Sequence, residues 1–333
     1  MSSRKFRAIV VEETGENTFA RSVKERSTDD LPAGEVLIRV HYSSLNYKDA
    51  LSATGNKGVT KNYPHTPGID ASGVVEESAS GDFKPGEEVL VTGYDLGANT
   101  SGGYGEYIRV PSDWVIKLPA GLSPMESMVY GTAGFTAALS VYKMEEHGVA
   151  PGMGEVLVTG ATGGVGSVAS GILAKSGYHV VASTGKTDRN QLLLGLGVKE
   201  VISREDAKDT SGRALLKARW AGVVDTVGGE ILATAIKSAG QHGVVTCCGN
   251  VASADLPLSV YPFILRGVTL VGIDSAYCPM DVRKRVWAKI ANEWKLDRLD
   301  ILTTEISLAQ LDKHIELILQ GKECGRVVVN MTK

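Results

Sequence analysis

The sequence predicts a two-part α/β protein, a β-rich first part followed by a doubly wound parallel sheet. Three observations carry this expectation. Glu155-Val-Leu-Val-Thr-Gly-Ala-Thr-Gly-Gly-Val-Gly-Ser-Val-Ala169 reads as a buried strand, a glycine turn and a helix, in that order. Beyond it, apolar strand runs alternate with helical patterns, the rhythm of a parallel sheet. Before about residue 120, short apolar or alternating runs are separated by Pro and Gly turns.

The first part is expected to hold strands over Ala8 to Val11, Val36 to Ser43, Gly73 to Glu76, Glu88 to Thr92 and Tyr107 to Val110. Turn signals lie between them at Pro32-Ala-Gly34, Pro67-Gly68, Lys84-Pro-Gly86 and Pro119-Ala-Gly121. Asn46 to Leu51 reads as a helical turn. At Ser123-Pro124-Met-Glu126 the pattern changes. Ser123 can cap a helix, Pro124 suits its first position, and Glu126 at the third completes a capping box. A second helix is expected over roughly Gly134 to Glu146.

In the glycine-rich unit, Val156 to Val158 form the apolar strand and Gly160, Gly163, Gly164 and Gly166 the turn. Val165, Val168, Ala169, Ile172 and Leu173 follow at helical spacing. Glycines let the backbone turn tightly and approach a pyrophosphate, while the helix N-terminus faces its charge. The spelling is G-x-x-G-x-x-G, a departure from G-x-G-x-x-G. Further strands are expected over His179 to Thr184, Glu200 to Ile202, Ala221 to Asp225, Gly243 to Cys248 and Val268 to Ile273, with a helix over Asp188 to Leu196. After Pro279 come helices over Val282 to Trp294 and Leu308 to Gln320 and a last strand, Gly325 to Asn330. This tail is too short for a third domain and is expected to pack back on the N-terminal β part. The domain boundaries fall at 1–127 with 300–333, and at 128–299.

Composition narrows the function. The 333 residues are 43% apolar and 22% charged, ordinary for a globular protein with two cores. A net charge of −3 gives no bulk electrostatic case for nucleic acid or a membrane surface. No apolar segment reaches membrane-spanning length, and the apolar run after Arg4, Lys5 and Arg7 is too short for a signal peptide. Cys247, Cys248, Cys278 and Cys324 show no zinc or redox spacing, which fits a cytoplasmic, reduced protein.

Several motifs together carry a resemblance. They are Ser43-Ser-Leu-Asn-Tyr-Lys-Asp49, Pro67-Gly-Ile-Asp-Ala-Ser-Gly73, Gly102-Gly-Tyr-Gly-Glu-Tyr107, Gly131-Thr-Ala-Gly134, Val224-Asp-Thr-Val-Gly228 and Cys248-Gly-Asn250. With the glycine unit they cover nearly the whole chain, which resembles the medium-chain dehydrogenase/reductase superfamily. Leu45-Asn-Tyr-Lys-Asp49, Ser183-Thr-Gly-Lys186 and Pro262-Phe-Ile-Leu-Arg-Gly267 bring it nearer the acrylyl-CoA reductases, zinc-free and NADPH-dependent. The resemblance implies a GroES-like β-barrel catalytic domain joined to a Rossmann domain. Thr159 to Gly166 also satisfies T-G-x-x-x-G-x-G of the short-chain dehydrogenases, but that motif opens their chains and here lies mid-chain. No Tyr has Lys four residues on, so the proton donor of that family is missing.

Zinc-dependent relatives carry a cysteine ligand in the region of Ser43 to Asp49, whereas no cysteine here precedes Cys247. Their Gly-His-Glu motif is Gly68-Ile69-Asp70, without the histidine. No tetrahedral ligand set remains. His41 and His65 are expected to be structural, and no metal is expected.

A site selecting NAD places an acid about twenty residues past the glycines. That place holds Ser183, Thr184, Gly185 and Lys186, with Arg204 after the next strand. Hydroxyls, an amide and cations suit a 2′-phosphate, so NADPH is the expected cofactor. Asp188 is expected to cap the following helix. Thr162, Gly163, Gly164 and Val165 would meet the pyrophosphate. Asn250 and Ser275 sit at strand carboxyl ends, where a cofactor binds. The resemblance puts Tyr47 by the nicotinamide, with Asn46 and Asp49 nearby as the other catalytic candidates. A phenol donates a hydrogen bond or, as a weak acid, a proton; a core tyrosine is the alternative, and Asp49 can equally be a cap.

The expected activity is NADPH-dependent reduction of an α,β-unsaturated acyl thioester, acryloyl-CoA to propanoyl-CoA. A quinone or enone reductase is the alternative, and a non-enzymatic NADPH-binding protein a third. The partners implied are an acyl-CoA or enone. Leu265-Arg-Gly-Val-Thr-Leu-Val-Gly-Ile273 holds a long apolar strand at the expected sheet edge, which predicts a homodimer through residues 268–273.

Overall fold

In the computed structural model, which describes residues 3–333, contacts divide the chain into two units. One comprises the chain up to Thr132 with Ala276–Ala291 and Thr303–Lys333; the other comprises Ala133–Ser275 and Asn292–Leu302. In chain order the elements begin with β1 (Lys5–Gly15), β2 (Thr18–Ser27), β3 (Val36–Ser44), α1 (Tyr47–Ala53), β4 (Asp70–Ser78), β5 (Glu88–Thr92), β6 (Tyr107–Val110) and β7 (Ile116–Lys117). α2 (Pro124–Glu146), β8 (Glu155–Thr159), α3 (Gly164–Lys175), β9 (His179–Thr184), α4 (Asn190–Gly195), β10 (Glu200–Ser203), β11 (Trp220–Asp225), α5 (Gly229–Lys237) and β12 (Ala239–Cys247) follow. The chain ends with α6 (Tyr261–Arg266), β13 (Thr269–Gly272), α7 (Met280–Ala291), β14 (Thr303–Ser307), α8 (Leu311–Leu319) and β15 (Arg326–Asn330).

In the first unit a seven-stranded sheet runs β14-β15-β3-β4-β5-β7, with β6 also paired to β3. Its inward residues, among them Val36, Ile38, Val75, Val89, Val91, Ile108 and Val329, form one core. β1 pairs antiparallel with β2 as a separate ribbon. The sequence pattern missed β2. Thr-Phe-Ala-Arg-Ser-Val-Lys-Glu-Arg-Ser is mostly exposed and carries four charges, and its pairing with β1 makes it a strand where its own periodicity gives no signal.

The expected capping box forms: Glu126 N–H donates to Ser123 Oγ (3.2 Å) and Ser123 N–H to Glu126 Oε2 (2.8 Å). The two helices expected beyond it both form within α2, and Gly131, with non-helical φ 51° and ψ −156°, is the break between them. By its contacts α7 belongs to the first unit, and residues 292–302 to the second. α7 carries Arg283, a fully buried charge. Its Nη1 donates to the Thr92 carbonyl (2.7 Å), and its guanidinium lies 4.6 Å from the Tyr94 ring centre.

In the second unit six parallel strands run β10-β9-β8-β11-β12-β13. By chain order this is 3-2-1-4-5-6, the doubly wound order of dinucleotide-binding sheets. Val156, Val158, Val180, Val181, Val223 and Val224 are wholly buried, as strands covered on both faces require. Among the described residues β13 pairs only with β12 and so is an edge. Among the described residues no helix is long and apolar enough to cross a membrane.

Candidate cofactor and active-site residues

Strand order reverses between β8 and β11, and open parallel sheets bind ligands outside the strand carboxyl ends at such a point. The two ends are bolted together there. Thr159 Oγ1 donates to the Asp225 carboxylate (2.7 Å). Thr226 donates its N–H to Thr159 Oγ1 (3.0 Å) and its hydroxyl to the Thr159 carbonyl (2.9 Å). Gly228 N–H donates to Asp225 Oδ2 (2.8 Å). Asp225 is wholly buried, and that burial pushes its carboxyl above the ordinary range against the donors it accepts.

The glycine turn is built against this bolt. Gly160 has φ 60°, and a Cβ there would strike the Thr226 hydroxyl. A Cβ on Gly166 would strike the Gly160 carbonyl. Gly163 is the N-cap of α3 and brings no side chain to cap it, so no capping group competes with an anion at this helix start. Thr162 shares a hydroxyl–hydroxyl bond of 2.9 Å with Thr184. Thr184 Oγ1 also accepts Lys186 N–H (3.0 Å), and Ser183 Oγ donates to the Ser203 carbonyl (3.4 Å). A Cβ on Gly185 would lie 2.9 Å from the Arg204 guanidinium, so Arg204 sits flat over that turn.

Thr162, Ser183, Thr184, Gly185, Lys186 and Arg204 are thus brought together at the end of β9. These residues fit the 2′-phosphate of an NADP-type dinucleotide: a guanidinium over an open glycine turn, hydroxyls beside it, and no acid in the ribose position. Asp188 does not cap α4, contrary to expectation. It stands exposed in a single 3-10 turn and pairs with its neighbour Arg189 (3.2 Å), because the helix starts two residues later than the pattern suggested. Asn250 lies exposed just after β12, and Ser275 accepts a hydrogen bond from Thr136 Oγ1 (2.8 Å).

In the first unit, Asn46 and Asp49 form the start of α1 as a capping box. Asp49 Oδ2 accepts Asn46 N–H (2.9 Å) and its other oxygen accepts Ile69 N–H (2.8 Å). Burial and the nearby Asp70 push the Asp49 carboxyl up to about 7. The Asn46 amide donates to Asp70 Oδ2 (2.7 Å) and to Asp49 Oδ2 (3.2 Å). Neither Asn46 nor Asp49 offers its side chain outward, being 8% and 0% exposed. Tyr47 does: it is 45% exposed. His65 is buried with Nε2 2.9 Å from the Gly97 carbonyl, and burial holds its imidazole below the ordinary range.

Sequence reasoning missed the partners of this cluster. Asp70 also accepts from Ser44 Oγ (2.5 Å) and from the Thr132 N–H and hydroxyl (2.9 and 2.6 Å). Arg326, 2% exposed, donates to Ser44 Oγ (2.9 Å) and to the Val129 carbonyl (2.8 Å). The donor set does not fit a zinc ion. The Asp70 oxygens are occupied by hydrogen-bond donors, and a buried guanidinium shares their cluster. Among the described residues no three His, Cys, Asp or Glu side chains are gathered to hold a metal.

Residues 32–120 match the alcohol dehydrogenase GroES-like domain family, and residues 164–292 match the zinc-binding dehydrogenase family. A putative quinone oxidoreductase, YhfP of Bacillus subtilis, is 47% identical over 98% of this chain and 99% of its own. Its crystal structure with NAD bound superposes with a TM-score of 0.96. The acrylyl-CoA reductase AcuI of Ruegeria pomeroyi is 44% identical over 98% of this chain and 99% of its own. The yhdH oxidoreductase of Salmonella enterica, solved in complex with NADP, is 41% identical with a TM-score of 0.95, covering 98% of this chain and 99% of that one. With both of its units matched and full-length relatives well above 30% identity, this chain belongs to the medium-chain dehydrogenase/reductase family, in the branch that contains the acrylyl-CoA reductases.

Proposed function

We propose that this protein uses NADPH to reduce the carbon–carbon double bond of an α,β-unsaturated acyl thioester, with acryloyl-CoA as substrate and propanoyl-CoA as product. The observation that carries the cofactor assignment is Arg204 lying over Gly185 at the end of β9, where an NAD-selecting site would hold an acid. The acceptor is supported by full-length likeness to an acrylyl-CoA reductase. When bound, NADPH supplies the hydride that reaches the β-carbon.

The chain's own residues do the rest. Thr162, Gly163, Gly164 and Val165 hold the pyrophosphate through backbone N–H groups, and Ser183, Thr184, Gly185, Lys186 and Arg204 hold the 2′-phosphate. Asn250 and Ser275 line the strand ends. Tyr47 carries an outward phenol suited to donate to the thioester oxygen, where charge collects as the enolate forms, and such preorganised donors lower the barrier. Asn46 and Asp49 act behind it, through the start of α1.

The name of the Bacillus subtilis relative supports quinone reduction as a second reading. Steady-state NADPH oxidation with acryloyl-CoA beside a quinone separates the two. At least tenfold higher kcat/KM for acryloyl-CoA is expected. A quinone preference would favour the second reading, and NADPH binding without turnover of either would favour a non-enzymatic role. The assembly proposed with this function is a two-fold dimer through β13.

A further inference from the structure

We propose that Asp70 and Arg326 are positioning residues that fix Asn46 and thereby aim the Tyr47 side chain. This goes behind the assignment of Tyr47 made above and rests on it for its catalytic consequence. Asp70 opens β4, and its carboxylate gathers three donor residues: Ser44 at the end of β3, Asn46 at the cap of α1, and Thr132 just past the break in α2. Arg326 opens β15 and reaches the same group from a distant part of the chain. Its Nη2 donates to Ser44 Oγ, and its Nη1 lies 3.3 Å from both Asn46 Oδ1 and the Leu45 carbonyl.

The Asn46 amide is therefore held at both ends, its nitrogen on two carboxylates and its oxygen on a guanidinium. Its backbone N–H is held as well, by Asp49. Tyr47 is the next residue and the first of α1, so the direction of its Cα–Cβ bond follows from a cap that cannot turn. Gly131 closes the cluster from the remaining side. A Cβ there would lie 2.5 Å from both Asp70 Oδ2 and Ser44 Oγ, and its φ of 51° also favours glycine.

Stability alone does not account for this arrangement. Asp70 and Arg326 are buried charges that meet through the Ser44 hydroxyl and the Asn46 amide; buried charged groups gain little over well-packed apolar residues, and their attested use is to select one geometry among several. What this cluster selects is the geometry of the residue pair 46–47, whose second member is the outward tyrosine.

The test is Asp70→Asn, with Ser44→Ala as the milder variant should the first fail to fold. The protein is labelled with 3-fluorotyrosine, and the Tyr47 resonance is assigned by its loss in Tyr47→Phe. Both variants are expected to shift and broaden that resonance while leaving Tyr178, in the second unit, in place. Kinetically, Asp70→Asn should lower kcat with acryloyl-CoA at least tenfold while NADPH affinity, from fluorescence titration, changes less than threefold. In the Tyr47→Phe background the same change should cost less than threefold more. An unmoved Tyr47 resonance in both variants, or kinetic losses that multiply in the double variant, would overturn the proposal. If Tyr47→Phe alone leaves kcat intact while the resonance still moves, the catalytic assignment of Tyr47 fails and the positioning role stands.

Discussion

The hydroxyls of Thr162 and Thr184 lie 2.9 Å apart, so the glycine turn and the end of β9 are one hydrogen-bonded unit. Thr184 passes this on by accepting the Lys186 N–H (3.0 Å).

Cofactor choice follows from the charges at that turn. NADPH is expected to exceed NADH in kcat/KM. Lys186→Ala and Arg204→Ala should each weaken NADPH about tenfold or more, the scale of one charged hydrogen bond, and leave NADH nearly unchanged. Equal use of both cofactors by the wild type would contradict the assignment.

Asp49 makes stability depend on pH. Its folded carboxyl is raised to about 7, whereas an unfolded Asp titrates near about 3.9. A raised folded value means that the folded state holds the proton more tightly. The contribution is therefore fully present below about pH 4 and is lost as pH rises through about 7. Urea unfolding of wild type against Asp49→Asn should show the wild type losing ground by a few kcal/mol across that window and holding level above it. A constant difference from pH 4 to 8 would contradict this account of Asp49.

Metal removal should do nothing. The Asp70 oxygens are committed to Ser44, Asn46 and Thr132, and Arg326 is buried in the same cluster. Prolonged dialysis against a chelator is expected to leave kcat within experimental scatter, and elemental analysis to find no stoichiometric zinc. Activity lost on chelation and restored by zinc would overturn the reading of this cluster.

The edge of the parallel sheet makes the dimer testable. Ile273 N–H points inward to the Cys247 carbonyl, so by alternation Leu270 and Gly272 turn theirs to the open side. Beside this edge Val260, Ile264 and Leu265 are 63%, 67% and 57% exposed, an apolar face of the kind that another copy covers. Light scattering across a dilution series should give twice the chain mass. Leu270→Pro, which removes an outward donor, should shift the protein to monomer. A monomeric wild type at micromolar concentration would rule the interface out.

What could be read in advance was what is local. The strand–turn–helix at 155–169 shows in the sequence because residue type and period coincide there, and the Ser123–Glu126 box because its two halves are three residues apart. β2 could not be read, since its residues are mostly exposed and carry four charges, and only β1 makes them a strand. Arg326 and Ser44 lie 282 residues apart, and no spacing rule joins them. The burial of Arg283 was not legible for a related reason: arginine is a surface residue by default, and here Thr92 and Ala276 carbonyls accept it inside. The candidate tyrosine was legible only through resemblance; that its neighbours Asn46 and Asp49 are buried, with Asn46 held by Asp70 and Arg326, needed the fold.

The central claim, hydride delivery to the β-carbon of an unsaturated thioester, is tested most directly by isotope. Acryloyl-CoA is reduced with NADPH carrying deuterium at both C4 positions, and the product is examined by mass spectrometry and NMR. Propanoyl-CoA with one deuterium on its terminal carbon, and a solvent proton at the α-carbon, is predicted. Propanoyl-CoA without label, label at the α-carbon, or no propanoyl-CoA while a quinone is consumed would contradict the account.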